Sequence, residues 1–298
     1  LPEVLKERNL LLAAIRSFFL DRGYLEVETP LRIPAPVPEP HIVPVESEGW
    51  YLQTSPELCM KRLLARGVPK LFQIARCFRK GERGRFHLPE FTMLEWYRAG
   101  IEYHALMEEC EEMLREVAAR LGVTATLSWQ GREIDLASPW ERITVAEAFE
   151  RHAPYPVDEA LARGVFDETL VVYVEPHLGV TTPTFLYDYP LELGALARPK
   201  PGNPDIAERF ELYVATLELA NGFSELTDPV EQRRRFEHDR ELIRESGREP
   251  APIPSRFLAE LGEMPGAAGV ALGVDRLAML LFDRGVIDQV VAFTPEEL

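Results

Sequence analysis

Apolar positions along the chain recur with two periods, and each period predicts an element. Leu5, Leu11, Leu12, Ile15, Phe18 and Phe19 follow helical spacing as far as Gly23, which predicts an opening helix. YLEVETP then reads as a short strand ending at Pro30. RIPAPVPEPHIVPVE is too rich in proline for a helix and predicts an extended loop. WYLQTSPELCMKRLLARG predicts a strand, a turn and a helix, with Ser55 as N-cap and Pro56 in the first helical position. KLFQIARCFR and FTMLEWY predict two strands. Between Glu102 and Leu121 the residues Leu106, Cys110, Met113, Leu114, Val117 and Leu121 line one helical face, and Gly122 ends it. Glu108, Glu109, Glu111 and Glu112 then form a solvated face. Thr144 and Glu147 have capping-box spacing. Residues 153–205 are dense in proline and turns, which predicts a peripheral helix and a connection back to the core. ERFELYVATLELANGFSEL alternates like paired strands. Residues 229–246 are charged and helical, and GVALGVDRLAMLLFD is a glycine-rich turn running into a helix.

The paired-strand segment places two carboxylates together. A two-residue turn at Ala215 and Thr216 sets Tyr213 opposite Glu218 and leaves Glu211 on the same face, diagonal to Glu218. Two carboxylates on one sheet face repel unless a cation sits between them, and Mg²⁺ is the hard cation that accepts carboxylates together with phosphates. An exposed acidic face on an edge hairpin explains the spacing equally well. Gly222 marks a candidate bulge that shifts the strand's phase and brings Glu225 toward the same cleft.

Composition narrows the classes. Hydrophobic residues make up 46% and charged residues 28% of 298, the balance of a globular protein, and no break in composition divides the chain, so residues 1–298 read as one domain. The formal net charge of -16 argues against a general nucleic-acid surface, which needs a broad basic face. Cys59, Cys77 and Cys110 are odd in number and form no CxxC pair. They read as reduced thiols of a cytoplasmic protein, neither a disulfide frame nor a zinc site. No apolar run is long enough to span a membrane, and the opening segment has no cleavage pattern.

Against this acidic background Arg79, Lys80, Arg83, Arg85 and His87 crowd into ten residues, Arg79 to Leu88. A basic turn between two strands is commonly a solvated hairpin tip; the alternative is a site for a small polyanion. Glycines in GVALGVDRL permit close backbone approach by a ligand, though helix packing also uses such glycines, and Arg276 amid apolar neighbours requires an anionic or aromatic partner. No Ser/His/Asp nucleophile set is present. His41, His104, His152, His177 and His238 are scattered.

Together these stretches resemble the catalytic core of class II aminoacyl-tRNA synthetases over nearly the whole chain. VETP resembles the first motif, FRKGERGRFHLPEF the second and GVALGVDRL the third, in the family's order. TSPELCMKRLL, HLPEFTMLEWY and ELANGFSELTD are similar to the lysyl subgroup. EWYRAG, the short tail after the third motif and the missing anticodon-binding barrel are similar to the stand-alone elongation factor P–lysine ligases.

The resemblance implies an α+β fold, an antiparallel sheet flanked by helices, in a homodimer. It implies ATP and Mg²⁺ as cofactors, lysine or (R)-β-lysine as substrate and a lysine of elongation factor P as acceptor. By matching, ATP would meet Arg79, Lys80, Gly81, Glu82, His87, Leu88 and Phe91, then Glu218, Leu219, Gly273 and Arg276. Arg79 and Arg276 would be the catalytic pair, with Arg79 on the α-phosphate and Arg276 and Phe91 on the two faces of adenine. Glu211 and Glu218 would hold Mg²⁺. Ser55, Pro56, Glu57, Tyr97, Asn221 and Glu225 would form the amino-acid pocket: Glu225 and Tyr97 on the side-chain ammonium, Glu57 on the other amine, Asn221 with Arg79 on the carboxylate. Gly81 and Leu88 stand where the family has Glu and Asn, which leaves adenine reading open. Two other readings are a truncated synthetase that charges tRNA and a catalytically silent regulatory subunit. Net charge opposes stable tRNA binding, and the presence of Arg79, Glu211, Glu218 and Arg276 opposes the silent one.

Overall fold

A computed structural model describes residues 2–298. Its backbone is a nine-stranded sheet. The strands that matter here are β1 (Leu25–Glu26), β2 (Lys70–Phe78), β3 (Glu90–Ala99), β4 (Glu141–Thr144), β5 (Thr184–Pro190), β6 (Asn203–Val214), β7 (Leu217–Ser224) and β8 (Ala267–Gly273). Their order is β1-β2-β3-β8-β7-β6-β5-β4, with Pro199–Lys200 added beside β6. Only the two outer pairs, β1 with β2 and β5 with β4, are parallel. The antiparallel centre lets residues far apart in sequence line up in rows across one face.

Alternation decides what each face carries. Even-numbered residues of the central strands, among them Leu94, Trp96, Phe210, Leu212, Ala220 and Leu272, are buried. They pack in one core with α1 (Pro2–Asp21) and α3 (Tyr103–Arg120), through Leu11, Ile15, Phe18, Leu106, Cys110, Met113 and Val117. Odd-numbered residues point to the opposite face, where Glu95 lies opposite Ala271, Ala271 opposite Asn221, and Asn221 opposite Glu211.

The β6–β7 hairpin turns at Ala215 and Thr216, both with positive φ (54° and 70°), as a two-residue turn of this kind requires. Tyr213 does pair with Glu218. The strand's phase does shift, but not at Gly222. The extra residue is Leu219, since Leu212 pairs with Ala220 while Tyr213 pairs with Glu218. Gly222 is needed for packing: a Cβ there would lie 2.6 Å from the Phe210 ring. Two further expectations change. Residues 153–205 contribute β5, a buried strand hidden among proline and turn residues. Glu109 is not solvated; it is buried and accepts from the Tyr24 hydroxyl (2.6 Å), with Arg98 at 3.4 Å. The capping box at Thr144 forms and starts α4 (Val145–His152). In α2 (Glu57–Ala65), Ser55 Oγ accepts from the Glu57 amide at 3.0 Å, a capping bond, but the helix begins one residue later than expected and Pro56 is its cap position. Cys77 and Cys110 are buried and Cys59 half-buried.

Candidate active site

Two cavities open on the odd-numbered face. The smaller, of about 310 Å³, is lined by Arg79, Glu82, His87, Leu88, Phe91, Glu218, Leu219, Gly273 and Arg276, nine of the eleven residues expected at a nucleotide site. Lys80 and Gly81 form the turn beside it and do not line it; the Lys80 amide donates to the Val43 carbonyl at 2.8 Å. The larger cavity, of about 1040 Å³, is lined by Ser55, Glu57, Arg79, Tyr97 and Asn221 among the expected residues. Pro56, Glu211 and Glu225 lie outside its lining, Glu211 and Glu225 being buried behind it.

The five basic residues of the β2–β3 loop divide. Arg79 stands at the cavities with its guanidinium 5.0 Å from the Phe91 ring centroid, and its Nε is buried without a partner. Arg83 pairs with Glu296 (2.9 Å) and Asp288 (2.8 Å), and Arg85 donates to the Gly285 carbonyl (3.0 Å), so both tie the loop to the C-terminal segment. His87 Nε2 lies 2.6 Å from an Arg276 nitrogen. An arginine only donates, so Nε2 accepts and the proton of the neutral ring sits on Nδ1. Burial, and then Arg276, hold the His87 pKa below its ordinary value, consistent with a neutral ring. Arg276 lies in the first turn of the helix Val274–Leu281 and donates to the Glu218 carbonyl at 2.6 Å, so the third-motif arginine is locked onto the hairpin.

The larger cavity has an acidic floor. Glu95, in β3, is buried; it accepts from Ser55 Oγ (2.5 Å) and the Tyr97 hydroxyl (2.7 Å). Lys61 is 1% exposed, and its ammonium donates to Glu57 at 2.5 Å. The same nitrogen lies 2.5 Å from Glu225 Oε2 but off the hydrogen-bonding direction, so neither oxygen of Glu225 has a hydrogen-bond partner. Three carboxylates thus share one internal cation. Burial, with Glu57 adding to it, pushes Glu95 up to about 8. Burial likewise pushes Glu225 up to about 8, against the pull of Lys61. Gly269 makes room for this floor, since a Cβ there would lie 2.2 Å from the Tyr97 ring and 2.8 Å from Glu225 Oε1.

Glu211 is saturated. Its Oε2 accepts from the hydroxyls of Tyr189 (2.6 Å) and Tyr213 (2.7 Å), and its Oε1 from Arg209 (2.6 Å) and, at a longer 3.3 Å, Asn221. Glu218 lines the smaller cavity and is 41% exposed, with Arg276 at 3.4 Å. Sequence reasoning did not single out Glu39, Lys61, Glu95 or Arg209. For Glu95 a signal existed: an acid inside MLEWY, a strand apolar on both sides. For Lys61 the signal was its place four residues after Glu57 on an otherwise apolar helical face.

A family profile described as "tRNA synthetases class II (D, K and N)" matches residues 1–297. The chain is 40% identical to the elongation factor P–(R)-β-lysine ligase of Klebsiella pneumoniae subsp. pneumoniae, over 99% of this chain and 95% of that protein. Identity is 42% to the ligase of the same name from Proteus mirabilis, over 97% and 94%. It is 39% to that of Vibrio cholerae serotype O1, again over 97% and 94%.

Proposed function

The chain belongs to the class II tRNA synthetase family of the D, K and N type and, within it, to the elongation factor P–(R)-β-lysine ligases; from that premise we propose that it adenylates (R)-β-lysine with ATP and transfers the acyl group to a lysine side chain of elongation factor P. It is an AMP-forming ligase. The observation that carries the substrate is the acidic floor: Glu57, Glu95 and Glu225 have Lys61 alone, so ionising all three would leave two negative charges uncompensated (three carboxylates less one ammonium), and burial keeps protons on Glu95 and Glu225 instead until a cation arrives. A substrate with two ammonium groups neutralises them, and buried carboxylates favour it strongly because leaving them unpaired is costly.

In the smaller cavity Arg79 would bind the α-phosphate; its unpartnered Nε and its presence in the lining of both cavities support this, since it would then set a positive charge at the point of carboxylate attack. Arg276 and Phe91 would hold the adenine ring, and neutral His87 would reach the outer phosphates. Glu225 with Tyr97 would hold the side-chain ammonium, Glu57 the second amine, and Asn221 the carboxylate. The carboxylates fit a Mg²⁺ unequally. Among the described residues no group of three or more metal-ligating side chains exists. Glu218 offers an open carboxylate to the smaller cavity, whereas Glu211 is committed to four donors and only its long contact to Asn221 is easily released. Glu218 would therefore hold the ion and Glu211 would reinforce it with charge. Bound there, Mg²⁺ would neutralise phosphate charge.

The homodimer and the exclusion of tRNA are part of this reading. Leu5, Leu10, Leu20, Leu25 and Leu31 are exposed along α1 and the segment after it, apolar surface that a second copy would cover. The charge of -16 opposes a long phosphate backbone. Among the described residues no helix is long and apolar enough to cross a membrane. The deciding experiment is the intact mass of elongation factor P after incubation with enzyme, ATP and (R)-β-lysine or α-lysine. We expect one added β-lysyl mass, stable to mild alkali. An alkali-labile ester on tRNA with elongation factor P unchanged would instead establish a tRNA synthetase.

A further inference from the structure

Six residues line both cavities: Glu39, Ile42, Arg79, Met93, Asn221 and Ala271. On the ligase reading, on which this inference rests, the doorway they form is where the substrate carboxylate meets the α-phosphate. Arg79 and Asn221 suit two anions. Glu39 has the opposite character, an acid set where negative charge collects. Among the described residues its carboxylate has no hydrogen-bond partner and no cation within 4.0 Å. Nor is it loosely held. It sits between Pro38 and Pro40 in the loop over the doorway; the loop is fastened by the Lys80 amide on the Val43 carbonyl (2.8 Å), the Ile42 amide on the Glu39 carbonyl (3.3 Å) and the Arg248 guanidinium on the Pro40 carbonyl.

An unpaired carboxylate kept there needs a cation to meet. The two amines of (R)-β-lysine are already matched by the two uncompensated charges of the floor. One amine of the reaction remains, that of the acceptor. The larger cavity, at about 1040 Å³, extends beyond the floor to Asp158, Asp167, Glu192 and Asp205; Arg234 and Arg235 also line it but are both paired with Glu231, which leaves an acidic approach suited to a lysine side chain.

We propose that Glu39 is the general base of the transfer step. The acceptor ε-ammonium gives one proton to the Glu39 carboxylate. The freed nitrogen lone pair attacks the acyl carbon of the adenylate, and the C–N bond forms. The bond from that carbon to the phosphate oxygen breaks, and AMP leaves with the electron pair. The nitrogen's second proton passes to water, which leaves a neutral amide N–H. The charged groups around Glu39 suit this role. Burial pushes its carboxyl up to about 7; Arg79 from the β2–β3 loop and Arg209 from β6 oppose the rise, while Glu57 from α2 and Asp239 from the helix Pro229–Glu245 add to it. His41 and His238 line the same cavity. A base near the working pH is ionised often enough to accept a proton and neutral often enough to tolerate the approaching phosphate.

The test separates the half-reactions in the full-length chain. Glu39→Gln and Glu39→Asp are assayed for (R)-β-lysine-dependent ATP–pyrophosphate exchange and for single-turnover transfer from the enzyme-bound adenylate to elongation factor P. Transfer to hydroxylamine, whose nitrogen is unprotonated at neutral pH and needs no base, is measured beside them. For Glu39→Gln we expect protein transfer to fall about 10²-fold, with exchange and hydroxamate formation falling at least tenfold less. The rise of the transfer rate near pH 7 should disappear, and Glu39→Asp should recover part of the rate. Exchange falling in parallel with transfer would make Glu39 a binding residue and overturn the proposal. So would hydroxamate formation falling with protein transfer, or transfer left intact. Absence of exchange in the unaltered enzyme would overturn the ligase reading beneath it, an outcome distinct from these.

Discussion

The smaller cavity carries its charge on arginines at its wall, Arg79 and Arg276, whereas the larger carries it on carboxylates buried in the sheet, Glu57, Glu95 and Glu225. The arginines have only loose counter-ions, Glu82 at 3.9 Å from Arg79 and Glu218 at 3.4 Å from Arg276, and Arg276 is also fixed by a backbone carbonyl and a neutral histidine. The carboxylates need an internal one, and Lys61 supplies half of what Glu57 and Glu225 require. The first arrangement tolerates a ligand that comes and goes, because partly exposed guanidinium groups are easily rehydrated. The second penalises vacancy and so discriminates among ligands. On the proposed function, catalytic power and selectivity would come from separate parts of one sheet face and could be broken separately.

Arg79→Ala should have the largest effect. Removing a preorganised donor from the developing phosphoryl charge costs about 10²–10³ in rate, so exchange should fall by that factor with every amino acid while the preference among lysine isomers persists. A change in preference would show that the doorway also selects. Glu225→Gln should act the other way. It keeps shape and removes charge, which should cost roughly 1.5–3 kcal/mol of amino-acid binding. KM for (R)-β-lysine rises accordingly while KM for ATP stays put, and an unchanged lysine KM would place Glu225 outside the pocket.

Acidity gives a subtler separation. Glu95 and Glu225 have an ordinary value of 4.5 and stand at about 8 in the folded protein. The native state therefore holds protons that the unfolded chain has released. Their contribution to stability is complete below the unfolded value and is lost as pH rises through the folded one. A bound diammonium ligand favours the ionised carboxylates and reverses that loss. Its thermal shift should grow from about pH 6.5 to about pH 8.5, whereas that of ATP should show no such growth. A flat lysine response would mean that the two carboxyls titrate at ordinary acidity. The smallest effect belongs to Arg83→Ala. Arg83 is turned away toward Glu296 and Asp288, so KM for ATP should stay within about twofold, as expected on removing an exposed ion pair. A large rise would return Arg83 to the nucleotide.

The two cavities also differed in how far the sequence disclosed them. The smaller cavity was legible because seven of the nine expected residues that line it lie in short continuous runs, Arg79 to Phe91 and Gly273 to Arg276, which stand out from an acidic chain. The hairpin register was legible too, because a two-residue turn fixes the pairs next to it, as Tyr213 and Glu218 show. The floor of the larger cavity was legible only in part. Its members come from α2, β3 and the end of β7, and the ion pair between Lys61 and Glu225 spans a separation that no local pattern encodes. Strand β5 escaped because its proline and turn neighbours masked five buried residues, Thr184 to Leu186, Tyr189 and Pro190. Glu109 escaped because helical spacing marks a face as polar without showing whether another chain segment covers it. Tyr24 and Arg98 do so here.

The extra residue at Leu219 makes strand length part of the site. Before it, Glu218 faces the ligand side; after it, Asn221, Phe223 and Glu225 do, and the two groups share a face only because one residue between them is left out of the alternation. Drawn straight, the same sequence would turn Asn221 and Glu225 into the apolar layer under the sheet and set Gly222 and Ser224 in their stead. Losing Leu219 and gaining a neighbour for it are therefore not equivalent changes. Deletion would straighten β7 with every later side chain on its present face and every later pair kept, whereas one more residue would also restore alternation but would slip every later pair by two positions along the neighbouring strands. Length at this point therefore sets register as well as facing: the shorter strand keeps Asn221 beside Glu211, and the longer one carries it two positions away.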